Sequence, residues 1–170
     1  MKKQKNKQGF TLVELLLYVS IMGTLVLTIS SFMNAVSQAK EKNQIISEIE
    51  QQGINITQLL NQNIKAAANI TAPLPGVSGS SLTLSFSDAS RNPTVFKLVG
   101  SGLMINLAGG SDIALTNSKV TVTNFLCANY GKTGAPDSIN CRFTLSAVDS
   151  FGRSEYSYTK NFNMSVSHRY

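Results

Sequence analysis

The sequence holds few of the residue types from which metal sites and active sites are built. It contains one histidine, His168, and two cysteines that are not arranged as Cys-x-x-Cys. A metal site needs several closely spaced Cys, His or carboxylate ligands, so we expect none. The sequence also has no glycine-rich phosphate loop after a strand, no nucleophile elbow and no paired-carboxylate motif. We therefore predict that the protein is not an enzyme and binds no cofactor.

Charge is missing from a long N-terminal segment. Between Phe10 and Ala39 the only Asp, Glu, Lys, Arg or His is Glu14. An unbroken helix from Phe10 to Met33 would be about 36 Å long, enough to cross a hydrocarbon core of about 30 Å. Lysines precede this segment, namely Lys2, Lys3, Lys5 and Lys7. They predict an N-terminus in the cytoplasm and a chain that lies outside after Lys40.

Two ordinary membrane signals compete for this segment. A secretory signal has an apolar core of about 7 to 15 residues before a small-x-small cleavage site. Residues 35–37 could serve as that site, but the apolar run before them is too long. A plain signal-anchor helix leaves Glu14 unexplained unless its carboxylate reaches the headgroups, because an acid inside a membrane is costly.

The segment Gly9-Phe10-Thr11-Leu12-Val13-Glu14 resembles the N-terminus of type IV pilins and pseudopilins. In that family this is the class III signal, which prepilin peptidase cleaves. The resemblance implies cleavage between Gly9 and Phe10 and N-methylation of Phe10. It also implies that Glu14 pairs with the N-terminal amine of a neighbouring subunit during assembly. Cleavage creates that amine, whose unperturbed pKa is about 7.7 to 8.0, so it is largely cationic at neutral pH.

The net charge does not point to a nucleic-acid partner. The formal charge is +6, and removing the four leader lysines reduces it to +2. The remaining basic residues are scattered, with no cluster of three. The sequence therefore gives no support to a nucleic-acid partner.

The helix is expected to continue beyond the membrane as an amphipathic half covering residues 36–71. Apolar and small residues recur there at steps of three and four, which predicts a stripe that packs on the soluble domain. They are Ile46, Ile49, Gly53, Ile56, Leu60, Ile64 and Ala67. Gly53 is either a bend or a glycine facing a close-packed sheet. The helix should end before Ala72, because Pro73 and Pro75 cannot continue it.

Residues 72–170 predict an antiparallel sheet of six strands, since side chains alternate between apolar and polar there. The strands cover residues 82–86, 95–99, 103–107, 120–125, 143–147 and 156–166, with tight turns at 100–102 and 149–152. Lys160 interrupts the apolar parity of the last strand. His168 is expected to be a partly exposed edge residue. The predicted fold class is α+β, a long N-terminal helix packed on an antiparallel β-sheet, which matches the type IV pilin fold implied by the resemblance.

Cys127 and Cys141 are expected at the end of the fourth strand and the start of the fifth. Two cysteines outside the cytoplasm at this spacing indicate a disulfide, which would contribute roughly 3 kcal/mol on the chain-entropy model. Two free thiols remain the alternative. The loop between them resembles in kind the disulfide-bounded D-region of many pilins. Almost thirty residues follow Cys141, whereas in major pilins the second cysteine lies closer to the end.

These expectations lead to a functional hypothesis. The resemblance implies a minor subunit of a type IV pilus or related filament, most similar to the J/W-type minor pilins. Its partners would be other pilin subunits, prepilin peptidase, the assembly machinery and the membrane. It would sit in the cytoplasmic membrane first and in an extracellular filament or pseudopilus later. The alternatives are a type II secretion or competence pseudopilin and, from another class, a single-pass anchored receptor or adhesin domain.

Overall fold

The computed structural model describes residues 9–132, 137–148 and 157–167. These residues form one long helix and nine strands. In chain order they are α1 (Leu12–Ala66), β1 (Asn69–Ala72), β2 (Ser78–Gly79), β3 (Ser81–Ser85), β4 (Thr94–Val99), β5 (Gly102–Leu107), β6 (Asp112–Ala114), β7 (Val120–Asn129), β8 (Ser138–Ala147) and β9 (Thr159–Ser167). The leader lysines, Tyr156, His168 and the turn expected at 149–152 lie outside the described residues.

Helix α1 runs through two compact units, which divide between Lys42 and Asn43. In the first unit every described side chain from Phe10 to Lys42 is exposed. In the second unit the helix buries one face. Its fully buried apolar side chains are Ile49, Ile56, Leu60 and Ile64. The predicted apolar stripe is therefore confirmed at its centre, while Ile46 at its start is only half-buried.

The described strands form two antiparallel sheets, where the sequence predicted one. The first sheet has the order β1-β3-β4-β5-β6, and the second has the order β2-β7-β8-β9. The predicted hairpin at Gly100 and Ser101 is present, since Val99 pairs with Gly102. Gly100 has a positive φ of 60°, a conformation that glycine adopts without steric cost. The predicted α+β fold, a long helix packed on antiparallel strands, is confirmed.

The helix ends earlier than the sequence indicated. It stops at Ala66, and residues 69–72 form the edge strand β1 instead of a last helical turn. Within β1, Ile70 lies opposite Leu84 of β3 and is buried. Burying this β-branched side chain in a sheet outweighs the helical pattern.

One hydrophobic core contains side chains from α1 and from both sheets. Phe96 of the first sheet and Phe143 of the second are almost fully buried there. At the end of α1 the buried Asn63 is hydrogen-bonded through both its amide nitrogen and its amide oxygen. Its Nδ2 donates to the Leu59 carbonyl and its Oδ1 accepts from Arg91 Nη2, both at 2.8 Å. A buried amide satisfied in this way avoids its desolvation penalty.

Gly53 packs against the second sheet. A Cβ placed on Gly53 would lie no more than 2.5 Å from three ring carbons of Phe162, which is on β9. The Phe162 ring stacks on Phe143, with ring centroids 5.2 Å apart. The glycine therefore serves a close approach between helix and ring, as the second of the two interpretations above proposed.

Lys160 has a structural partner that the strand pattern alone did not show. Its Nζ lies 2.6 Å from Glu50 Oε1 on α1. The hydrogen bond that Lys160 donates to Glu50 raises the pKa of Lys160 above its usual value. A lysine at an otherwise apolar position is thus explained by an acid on the helix that packs over the strand.

Candidate functional site

The N-terminal end of α1 begins with a side-chain cap. Thr11 precedes the first helical residue, and its carbonyl accepts a hydrogen bond from the Leu15 amide at 3.1 Å. Its Oγ1 accepts from the Glu14 amide at 3.4 Å. Thr11 is therefore the N-cap residue and Glu14 occupies the third helical position. Thr-x-x-Glu is the sequence pattern of a capping box.

This cap gives Glu14 a local role that the sequence analysis missed, although the Thr11-x-x-Glu14 spacing signals it. An acid in the first turn interacts favourably with the positive end of the helix dipole. The carboxylate itself has no hydrogen bond or ion pair to any residue that the structure describes. The local geometry thus accounts for the position of Glu14, but no cation within residues 9–132, 137–148 and 157–167 neutralises its charge.

Gly9 and Phe10 lie before the helix in irregular backbone. No described atom outside the neighbouring residues comes within 4 Å of a Cβ built on Gly9. The Phe10 side chain is 71% exposed, and its ring centroid lies 5.8 Å from that of Tyr18. The peptide bond between Gly9 and Phe10 is therefore uncovered in the described structure.

The helix that follows carries an unusually large exposed apolar surface. Its most hydrophobic 18-residue window has a mean hydropathy of 2.2, and none of that window is buried. By length and composition this helix could cross a membrane. An exposed apolar surface of this extent marks a lipid or protein contact.

Four hydroxyl groups of this apolar segment donate hydrogen bonds within the helix. Ser20 donates to the Leu16 carbonyl at 2.8 Å, and Ser31 donates to the Leu27 carbonyl at 3.0 Å. Thr24 and Thr28 make corresponding bonds to carbonyls three residues earlier, each 2.8 Å long. Because of these bonds, these four side-chain donors need no water.

Residues 4–30 match the family model of the prokaryotic N-terminal methylation motif. This motif is the class III signal of pilin-like substrates of prepilin peptidase. The match includes Gly9, Phe10 and Glu14, and it ends inside the apolar half of α1. The chain matches no curated protein and no solved structure. The chain therefore carries a pilin-like processing and anchoring signal, joined to an α+β domain that this match does not cover.

The disulfide joins Cys127 and Cys141, which lie directly opposite each other on β7 and β8. Both cysteines are fully buried. The two strands extend further than predicted, so the ladder continues past the disulfide to the pair Asn129 and Ile139. The bond therefore lies inside the sheet. It does not mark the base of the loop, as the comparison with the D-region suggested.

Proposed function

We propose that this protein is a minor subunit of a type IV pilus or a related filament. The observation that carries the proposal is the methylation motif, which opens a helix whose apolar side chains remain exposed. On this proposal prepilin peptidase cleaves between Gly9 and Phe10, Phe10 is N-methylated, and the apolar half of α1 moves from the membrane into a filament core. The domain after residue 72 remains on the filament surface.

The charge of Glu14 supports the assembly step. A carboxylate in a low-dielectric environment needs a cationic partner, because an uncompensated buried charge costs several kcal/mol. The helix provides no such cation among the described residues. Cleavage converts the Phe10 amide nitrogen into an amine that is largely protonated at neutral pH. We assign the partner of Glu14 to this amine on a neighbouring subunit.

One face of the apolar helix is suited to close packing. This face carries three small residues, Ser20, Gly23 and Thr24, in a segment that is otherwise rich in large apolar residues. Small residues let helix backbones approach closely in apolar surroundings. The hydroxyls are already bonded within the helix, so neighbouring helices need supply no partners for them. This arrangement fits a helix that packs among others of its kind.

The test separates the charge of Glu14 from its cap. Glu14→Gln keeps a residue that suits a capping box but removes the charge, so we expect it to stay in the membrane and be lost from filaments. Thr11→Ala is the matched control, because it removes the cap and keeps the charge. The readout is quantitative mass spectrometry of filaments sheared from native cells, beside the membrane fraction.

Each outcome has a definite meaning. A peptide that begins with N-methylated Phe10, present far below the major subunit, supports a minor pilin, while the same peptide as dominant species makes it the major pilin. Mature Phe10 ends found only in membranes favour a pseudopilin. An uncleaved leader in cells with active prepilin peptidase leaves only a membrane anchor. Normal incorporation of Glu14→Gln would refute the pairing.

A further inference from the structure

The outer face of the second sheet carries a polar groove that the proposed function does not use. The groove measures about 850 Å³, within the roughly 300 to 1,000 Å³ of small-ligand sites. Amide and hydroxyl side chains of β8 and β9 form its floor. Those used below are Asn140, Thr144, Asn161, Asn163 and Ser165.

Cross-strand hydrogen bonds hold these side chains in place. Asn140 Nδ2 donates to Asn163 Oδ1 at 2.9 Å and to Ser165 Oγ at 2.8 Å. Thr144 Oγ1 donates to Asn161 Oδ1 at 2.7 Å. Because an amide has two donor hydrogens and two acceptor lone pairs, each retains capacity for a ligand. Side chains that are already ordered lose little entropy when a ligand binds.

Arg142 stands in the middle of this polar floor, opposite Asn163 of β9 and Leu126 of β7. It is exposed, and it has no hydrogen bond, ion pair or ring contact with any residue in the described ranges. The planar guanidinium group has donors that match both oxygens of a carboxylate. Among the residues that the structure describes, the groove therefore offers one positive charge without a counter-charge, surrounded by neutral hydrogen-bonding groups.

A bulge in β7 shapes the rim of the groove. The pairing of β7 with β8 shifts register between Thr123 and Leu126, and Asn124 has a positive φ of 56°. Bulges redirect side chains and are frequent beside binding sites. Asn124 lines the groove together with Tyr130, whose side chain is 64% exposed. The rim thus adds another amide and an accessible aromatic ring.

We propose that this groove binds an acidic polysaccharide built from uronic acid units. The carboxylate of one unit binds Arg142, and sugar hydroxyls bind the amides of Asn140 and Asn163. A nucleic-acid strand would present closely spaced phosphates, which several Lys or Arg residues normally neutralise. The groove has one cation among its described lining residues, so a hydroxyl-rich chain with sparse carboxylates fits it better. This site is independent of filament assembly.

The experiment uses the full chain, labelled with ¹⁵N, in zwitterionic detergent micelles. The probes are a galacturonic acid hexamer, a neutral glucose hexamer and a thymidine oligonucleotide. We expect the acidic hexamer to shift the side-chain signals of Asn140, Asn163 and Arg142, which report on the groove separately from the basic leader. The neutral hexamer should bind much more weakly, and the oligonucleotide should leave these signals unchanged.

Arg142→Gln should weaken binding of the acidic hexamer at least tenfold. Lys119→Gln is the matched control, since it removes the same charge from an exposed lysine outside the groove, 3.8 Å from Glu48. Unchanged signals elsewhere in the sheet would show that Arg142→Gln is folded. Asn163→Leu is a second variant, which removes an amide of the groove and keeps the charge of Arg142. No shift in the groove, or equal losses in Arg142→Gln and Lys119→Gln, would overturn the site. A stronger response to the oligonucleotide would overturn the ligand class.

Discussion

Replacing Gly53 by alanine should destabilise the protein, although alanine is the better helix former. In an open helical position this change stabilises by about 1 kcal/mol. Here the new Cβ would lie no more than 2.5 Å from Cζ, Cε1 and Cε2 of Phe162. Ordinary carbon contacts are about 3.5 to 4.0 Å, so the ring must retreat by at least about 1 Å.

The retreat of this ring has a cost because the ring is held from its other side. Phe162 stacks on Phe143, which is only 1% exposed and cannot move away easily. Overpacking of this kind costs about 1 to 3 kcal/mol. Subtracting the gain in helix propensity leaves an expected net loss of about 1 kcal/mol for Gly53→Ala.

The assay is urea denaturation of the full chain in detergent micelles, followed by near-ultraviolet circular dichroism. Phe162→Leu removes the three ring carbons that would clash, so Gly53→Ala should become stabilising in that background. Asn55→Ala, at an exposed position of the same helix, is the control for helix propensity alone. The reasoning fails if Gly53→Ala stabilises the otherwise unchanged protein, or if its effect is the same with Leu at position 162.

Three further predictions concern the disulfide and the surface ion pairs of the domain. Replacing Cys127 and Cys141 together by alanine should lower the free energy of unfolding by roughly 3 kcal/mol on the chain-entropy model, and reductant should then have no further effect on urea midpoints. Hydrogen bonds from Lys97 and Asn106 lower the pKa of Asp112 below 3.8. The contribution of Asp112 to folding stability is therefore present above that pH and is lost as the pH falls through the folded pKa. In acid titrations, the stabilities of Asp112→Asn and of the unchanged protein should therefore converge. The pKa of Lys160 is raised above 10.5, so its contribution is full below that pH and is lost as the pH rises through the folded pKa. Lys160→Gln should therefore cost stability in thermal melts at pH 8, and this cost should shrink as the pH is raised above 10.5.

The sequence predicted those features that depend on local pattern. The buried helix face at Ile49, Ile56 and Leu60 follows from a period that the chain displays without reference to the rest of the fold. The hairpin at Gly100 follows from a turn residue between two alternating segments. The run from Phe10 to Ala39, in which Glu14 is the only charged residue, likewise identified the helix that could cross a membrane.

Features that depend on distant pairing were missed. Residues 69–72 form a strand because Ile70 pairs with Leu84 of the neighbouring strand. The helical pattern before this strand did not indicate that the helix ends at Ala66. Two sheets in place of one, and the bulge at Asn124, are properties of register, which alternation does not determine. Lys160 looked like an exception until Glu50, over one hundred residues earlier, was found beside it.

Ser20, Thr24, Thr28 and Ser31 donate hydrogen bonds to carbonyls of their own helix, so these four side chains need no partner from their surroundings. Each hydroxyl keeps the same partner in lipid, in protein or in a mixture of both. A change of environment therefore does not require any of these four hydrogen bonds to break. Glu14 is the one charged group between Phe10 and Ala39, so its desolvation is the part of this segment that depends most strongly on what surrounds the helix.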